Sequence, residues 1–305
     1  MCDIWKKQPT PEMPPEAYRH LPSSLKEVNI SGGEPLLRKD IGQVVDIIKQ
    51  TCPGVRIVLS TNGLLPKALD DLLNQDKQIA VRVSIDGLGA LHDEIRGING
   101  AFDLALKSIE IARRRRVKDI GICTTLTRRN IGHLLEIKDF ADREHLQMTF
   151  TVAHSSSLFF GNKASEMPSA RDAIDEIQRI KHRLYASTKP KDWFRAYFTS
   201  GLINMLKGKP RPIRCLAGKY FFYLDPEGNV YPCHILDKKI GSILEEDFSH
   251  IYETNRDFIS TLEHCKRKCW MTCTVAPEIR RNILLHSFRV ISGKLKDHIV
   301  YGFGR

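Results

Sequence analysis

No apolar run in this chain approaches the roughly 20 residues that a membrane-spanning helix requires, and its opening residues do not read as a secretory signal. The expectation is therefore a cytoplasmic protein, where thiols stay reduced and serve metals or catalysis more than disulfides. Cysteine is scarce through the first two-thirds. Cys2, Cys52 and Cys123 stand far apart, whereas Cys215, Cys233, Cys265, Cys269 and Cys273 crowd the last third. Internal repeats and low-complexity tracts are absent. Acids are the minority charge: 36 Asp and Glu against 47 Lys and Arg leave a formal +11. That surplus suits an anionic partner or substrate without identifying one. Nucleic acid is disfavoured, because the cations are dispersed and no aromatic-basic interleaving offers a stacking platform. The one dense run, Arg113 to Arg116, falls at an expected helix end, where cations suit the macrodipole.

What is present is ordinary globular material, 42% hydrophobic and 27% charged over 305 residues. That length accommodates one large α/β domain plus a small appendage, or two medium domains. Five β-rich runs occupy Leu25 to Ser31, Val55 to Asn62, Ile79 to Asp86, Asp119 to Leu126 and Gln147 to His154, with amphipathic stretches between most of them. Strand-helix alternation predicts a parallel sheet with right-handed crossovers. The third run favours a barrel over an open sheet. Val81, Val83 and Ile85 share one face, while Arg82, Ser84 and Asp86 share the other. A strand covered by helices on both sides is apolar on both faces, so a polar face ending in Ser and Asp fits a barrel interior that opens at the carboxyl ends.

The strand ends are chemically alike. "NISGGEPLLRKD" supplies bare backbone at Gly32 and Gly33, a carboxylate at Glu34, and Pro35 at the first turn of a helix. Carbonyls and a carboxylate there accept hydrogen bonds from an ammonium group, and the absence of a Lys argues against a phosphate loop. "STNG" adds Asn62, and "SIDG" adds Ser84 and Asp86. Within "HDEIRG", Arg96 can clamp a carboxylate bidentately; its plainer role is a surface pair with Asp93 or Glu94. Further on, residues 166 to 208 read as helical, and "FFYLDPEGNVYPC" reads as a hairpin turning at Asp225 to Gly228. The tail places Ile279, Ile283, Leu284, Phe288, Ile291 and Leu295 at helical spacing, which predicts a terminal helix docked through that face. A basic helix on a membrane surface is the lesser reading.

Together, "GGEP", "STNG" and "SIDG…HDEIRG" in this order resemble the radical S-adenosylmethionine (radical SAM) superfamily. Members of that superfamily hold a [4Fe–4S] cluster on C-x3-C-x-Φ-C. By the resemblance, Met1 corresponds to Φ near the adenine, and Cys2 to the third cysteine. That implies a chain cut just inside its cluster motif, missing the first barrel strand and generating a radical poorly as written. "CLAGKYFFYLDPEGNVYPC" followed by "CKRKCWMTC" is similar to the auxiliary-cluster extensions called SPASM and twitch. Cys215, Cys233, Cys265, Cys269 and Cys273 then become candidates for the four ligand positions of one auxiliary [4Fe–4S] cluster.

The resemblance implies a partial (β/α)6-type TIM barrel over 1–208, a small α+β extension over 209–276 and a basic amphipathic helix over 277–305. It further implies reductive cleavage of S-adenosylmethionine to a 5′-deoxyadenosyl radical that abstracts hydrogen from an unidentified substrate. The electron would come from an external donor such as ferredoxin or flavodoxin. Glu34 with the Gly32–Gly33 backbone would take the methionine ammonium, Arg96 its carboxylate, and Ser84 the carboxylate or ribose, with Asn62 and Asp86 lining the same mouth. Two alternatives remain: a zinc-stapled basic α/β protein binding nucleic acid or a partner, and a degenerate family scaffold without catalysis. Cys52 and Cys123 read as small buried hydrophobes, and His154 as structural.

Overall fold

Residues 11–153, 167–265 and 269–302 are described by the computed structural model. Five strands, β1 (Glu27–Ile30), β2 (Arg56–Thr61), β3 (Ala80–Ser84), β4 (Ile120–Leu126) and β5 (Gln147–Val152), lie side by side in chain order. Every neighbouring pair is parallel. Each falls within one of the five β-rich runs of the sequence. The crossovers are helices α1 (Ile41–Thr51), α2 (Pro66–Gln75), α3 (Ala90–Arg96) with α4 (Ala101–Arg114), and α5 (Leu134–Arg143). The sheet curls into a half-barrel, the partial TIM-barrel architecture that the sequence predicted.

Register explains which face turns inward. Ser60 pairs with Arg82, Arg82 with Gly121, Ser84 with Cys123, and Cys123 with Thr149. One face is therefore polar. The alternate residues Ile57, Leu59, Val81, Val83, Ile122 and Met148 are buried with the inner sides of the helices in the main core. The helix-covered face is thus apolar and the concave face polar, as "VRVSID" indicated. At the strands' amino ends, Arg82 donates to Asp119 Oδ1 at 2.8 Å and Arg56 donates to Glu27 Oε2 at 2.6 Å. A charge ladder closes that end of the concavity.

Beyond the half-barrel, α6 (Ala170–Ala186) and α7 (Pro190–Leu206) pack on each other. The expected hairpin forms from β6 (Tyr223–Leu224) and β7 (Asn229–Tyr231), and a third short strand, β8 (Gly241–Ser242), joins antiparallel. Its turn works as the sequence suggested: Asp225 Oδ1 accepts from Glu227 N at 3.0 Å and from Asn229 N at 2.9 Å. Helices α8 (Phe248–Thr254) and α9 (Arg256–Thr261) lead to the late cysteines, and α10 (Thr272–Arg281) and α11 (Ile283–Gly302) follow. Among the described residues no helix is long and apolar enough to cross a membrane.

The terminal helix corrects one expectation. It docks on α6 and α7, but not through the predicted apolar face. Ile279 packs against the core from α10, whereas Ile283, Leu284, Phe288, Ile291 and Leu295 are exposed. His286, Val290, Gly293 and Asp297 make the contact instead. Hydrogen bonds and a glycine gap do there what an apolar stripe was expected to do.

Candidate functional site at the carboxyl rim of the half-barrel

Because all five strands run parallel, their carboxyl ends share one rim, with about 10 Å between the ends of β1 and β3. Glu34 follows β1 as the residue before a short 3-10 turn (Pro35–Leu37), with Pro35 at its first position. Its Oε1 accepts from Thr61 Oγ1 at 2.8 Å and from Leu36 N at 3.2 Å, and its Oε2 accepts from Asn62 N at 2.7 Å. One carboxylate thus ties the end of β1 to the end of β2 and remains half-buried, with lone pairs left for a ligand. Beside it, Gly32 adopts φ +131°, and a Cβ built there meets nothing within 4 Å among the described residues. Gly32 and Gly33 are exposed, so bare backbone faces the rim. The Asn62 side chain is partly engaged, its Oδ1 accepting from Leu64 N at 2.8 Å.

Ser84 ends β3, half-buried on the concave face. Asp86 does not line the mouth. It is wholly buried, with Oδ1 accepting from Thr125 N at 2.8 Å and Oδ2 standing 2.6 Å from Arg96 Nη2. Arg96 therefore pairs with Asp86, not with Asp93 or Glu94. Asp93 instead accepts from Gly100 N at 2.7 Å and Phe102 N at 2.8 Å, fastening the start of α4. The pairing leaves Arg96 Nε without a hydrogen-bond partner among the described residues. His92 completes the cluster. Its Nδ1 accepts from Asp86 N at 3.1 Å, and burial, reinforced by the Arg96 charge, lowers its pKa from 6.5 to about 4. A neutral imidazole is thereby fixed under the site.

Sequence reading counted Thr61 among the polar strand-end residues of "STNG" without giving it a role, and it did not single out His92, Thr125 or Asn130. Asn130 donates to Asp86 O at 2.8 Å and Thr125 O at 3.0 Å, pinning the loop after β4 to the loop after β3. The available signal was the density of polar residues in "CTTLTRRN", which matches that of the other strand ends. Met1, Cys2 and His154 lie outside the described residues. Cys52 is wholly buried, as expected. Cys123 is half-buried on the concave face, its Sγ 3.1 Å from Thr149 Oγ1.

The late cysteines converge. Cys215 enters the hairpin, Cys233 leaves it, and both share an apolar pocket with Leu262, against which Cys265 packs. Cys233 Sγ accepts from Leu236 N at 3.3 Å. Cys269 neighbours Cys215, Cys233 and Cys265, and Arg211 Nη1 lies 3.7 Å from its sulfur. Cys273 stands 3.7 Å from His234 Nδ1. All five are free thiols, and burial raises the pKa of Cys215, Cys233 and Cys269, the last to about 11. Soft sulfur donors clustered in an apolar pocket fit thiolate-to-iron ligation, with metal binding supplying the energy of deprotonation.

A parallel half-barrel with a chemically uniform rim, followed by a thiol-bearing hairpin extension, defines a class of cofactor-dependent α/β enzymes. Comparison with known proteins gives that class its name. Residues 2–141 match the radical SAM superfamily and residues 215–274 match SPASM, an iron-sulfur cluster-binding domain. The AdoMet-dependent heme synthase of Methanosarcina barkeri is 30% identical over 274 residues, covering 79% of this chain and 72% of that protein. The mycofactocin maturase MftC of Mycolicibacterium smegmatis is 29% identical over 243 residues, 76% of this chain but only 59% of the maturase. In fold, native anSMEcpe with bound AdoMet superposes with a TM-score of 0.61 at 17% identity, over 85% of this chain and 78% of that one. SuiB of Streptococcus suis bound to S-adenosylmethionine gives 0.57 at 15% identity, over 81% and 60%. The chain belongs to the radical SAM superfamily and carries a SPASM domain. Its cofactors are those of that family: a [4Fe–4S] cluster used with S-adenosylmethionine, and an auxiliary iron-sulfur cluster.

Proposed function

We propose that this protein binds S-adenosylmethionine at the carboxyl rim of its half-barrel and uses it to remove a hydrogen atom from an anionic substrate. When bound and reduced, the cofactor pair supplies a 5′-deoxyadenosyl radical; the protein's part is to bind, orient and exclude water. Glu34 and the Gly32–Gly33 carbonyls accept hydrogen bonds from the methionine ammonium. Arg96, presented by the buried Asp86, takes the carboxylate through its remaining donors. Ser84 serves the carboxylate or the ribose, and Asn62 borders the same space. Met1 and Cys2 are assigned to the cluster end of the site from the sequence alone. The late thiols, Cys215, Cys233, Cys265, Cys269 and Cys273, supply the ligands of the auxiliary cluster. A ferredoxin- or flavodoxin-like donor in the cytoplasm provides the electron, and the +11 charge supports an anionic substrate.

The observation that carries this reading is the Glu34 carboxylate, held across two strand ends by Thr61 and Asn62 beside exposed glycine backbone. Equilibrium binding of S-adenosylmethionine to the full-length, anaerobically loaded protein tests it. A charge-assisted hydrogen bond contributes about 1.5–3 kcal/mol, so Glu34→Ala should raise Kd by about tenfold to a hundredfold. An unchanged Kd would remove the assignment.

A further inference from the structure

The setting of α11 points to a second working surface, independent of the cofactor chemistry: we propose that this helix lies on an anionic lipid bilayer. It is already anchored from behind. His286 and Val290 are buried, His286 Nδ1 is 3.1 Å from the Tyr197 hydroxyl, and Asp297 meets Lys181 at 3.2 Å and His182 at 2.7 Å on α6. At about 3.6 residues per turn, the opposite side carries Leu284, Phe288, Ile291, Leu295 and Ile299. Leu284 is 85% exposed, Phe288 72%, Leu295 59% and Ile299 62%. Single exposed apolar side chains need no explanation. A row running about 22 Å along one anchored helix is a contiguous patch of the kind that marks an interaction surface.

Charge selects the occupant. Between Ile279 and Arg305 the sole acid is Asp297, and α6 engages it. Arg289 and Lys296 border the stripe, both exposed and without an ion pair among the described residues. A second copy laid stripe to stripe would bring these cations together with no carboxylate between them, a juxtaposition that opposes self-association. An anionic bilayer satisfies both features at once. Its acyl boundary receives Phe288, Leu295 and their neighbours, and its headgroups receive Arg289 and Lys296. Nothing has to detach, because the anchored face is turned away. The net charge of +11 steers the whole molecule toward such a surface.

The test is co-sedimentation of the full-length protein with vesicles of phosphatidylcholine alone and of phosphatidylcholine containing about one-third phosphatidylglycerol. The anionic vesicles should bind the protein and the neutral ones should bind it far less. Phe288→Glu with Leu295→Glu should weaken partitioning at least about tenfold, and Arg289→Gln or Lys296→Gln about fivefold each. Unchanged circular dichroism and melting of the variants distinguishes lost docking from lost fold, since these side chains point into solvent. Equal binding to both vesicles, or acidic variants that bind as well as the parent, would overturn the proposal. So would a dimer in buffer that Leu295→Glu dissolves while vesicles stay unbound, or capture by an acidic protein without any affinity for lipid.

Discussion

At the scale of single residues, the rim depends on one buried ion pair. Asp86 is fully inaccessible and pairs with Arg96 at 2.6 Å. Removing one member of a buried pair strands the other charge, which typically costs about 3–5 kcal/mol. Asp86→Ala should therefore lower unfolding stability by about that amount in urea titrations, and a loss below about 1 kcal/mol would contradict the pairing. His92 adds a pH signature. Unfolded it protonates near 6.5 and folded only near 4, so between those values the unfolded chain holds the extra proton. Stability then falls as pH drops through that interval, by up to about 3 kcal/mol, and His92 adds no slope above it. His92→Gln retains an acceptor for Asp86 N and should flatten the acid limb of melting temperature against pH. An identical limb would place the titration elsewhere. Residue types and order placed Glu34, Asn62 and Ser84 at the ends of strands, which is where β1, β2 and β3 leave them. The Asp86–Arg96 partnership was hidden, because the nearer Asp93 and Glu94 offered equally plausible partners along the chain, and only folding brings the strand end under α3.

At the scale of elements, the same rim depends on close packing of turn against helix. Gly63 follows β2 with φ +79°, and a Cβ there would sit 2.8 Å from Val83 Cγ1 and 2.9 Å from the Ala105 backbone. Backbone cannot yield as a flexible side chain does, so Gly63→Ala combines a left-handed penalty with overpacking. A loss of about 2–4 kcal/mol is expected in urea titrations, and a neutral result would show that α4 can move away. Strand positions were legible because their period-two polarity is a direct image of burial on a curled sheet. The hairpin was legible because Asp225 and Gly228 have specific turn chemistry. The docking face of α11 was not. Helical periodicity reports which residues share a side; it does not report whether that side meets the body or something outside it. His286, Gly293 and Asp297 carry no apolar signature, yet they make the contact.

At the scale of the whole molecule, the fold sets two chemical centres on one chain: a polar rim formed by parallel strand ends, and a thiol pocket formed by the hairpin extension. Cys215 and Cys233 flank that hairpin and share its apolar pocket. Cys215→Ala and Cys233→Ala should each reduce iron and sulfide in anaerobically loaded protein without unfolding the half-barrel; zinc in place of iron would favour the stapled-scaffold alternative. If the rim holds S-adenosylmethionine for radical chemistry, reduced, cluster-loaded full-length protein should release 5′-deoxyadenosine. Glu34→Ala should release it at least about tenfold more slowly, through the loss of one charge-assisted hydrogen bond. Equal release by both proteins would contradict that role of the rim.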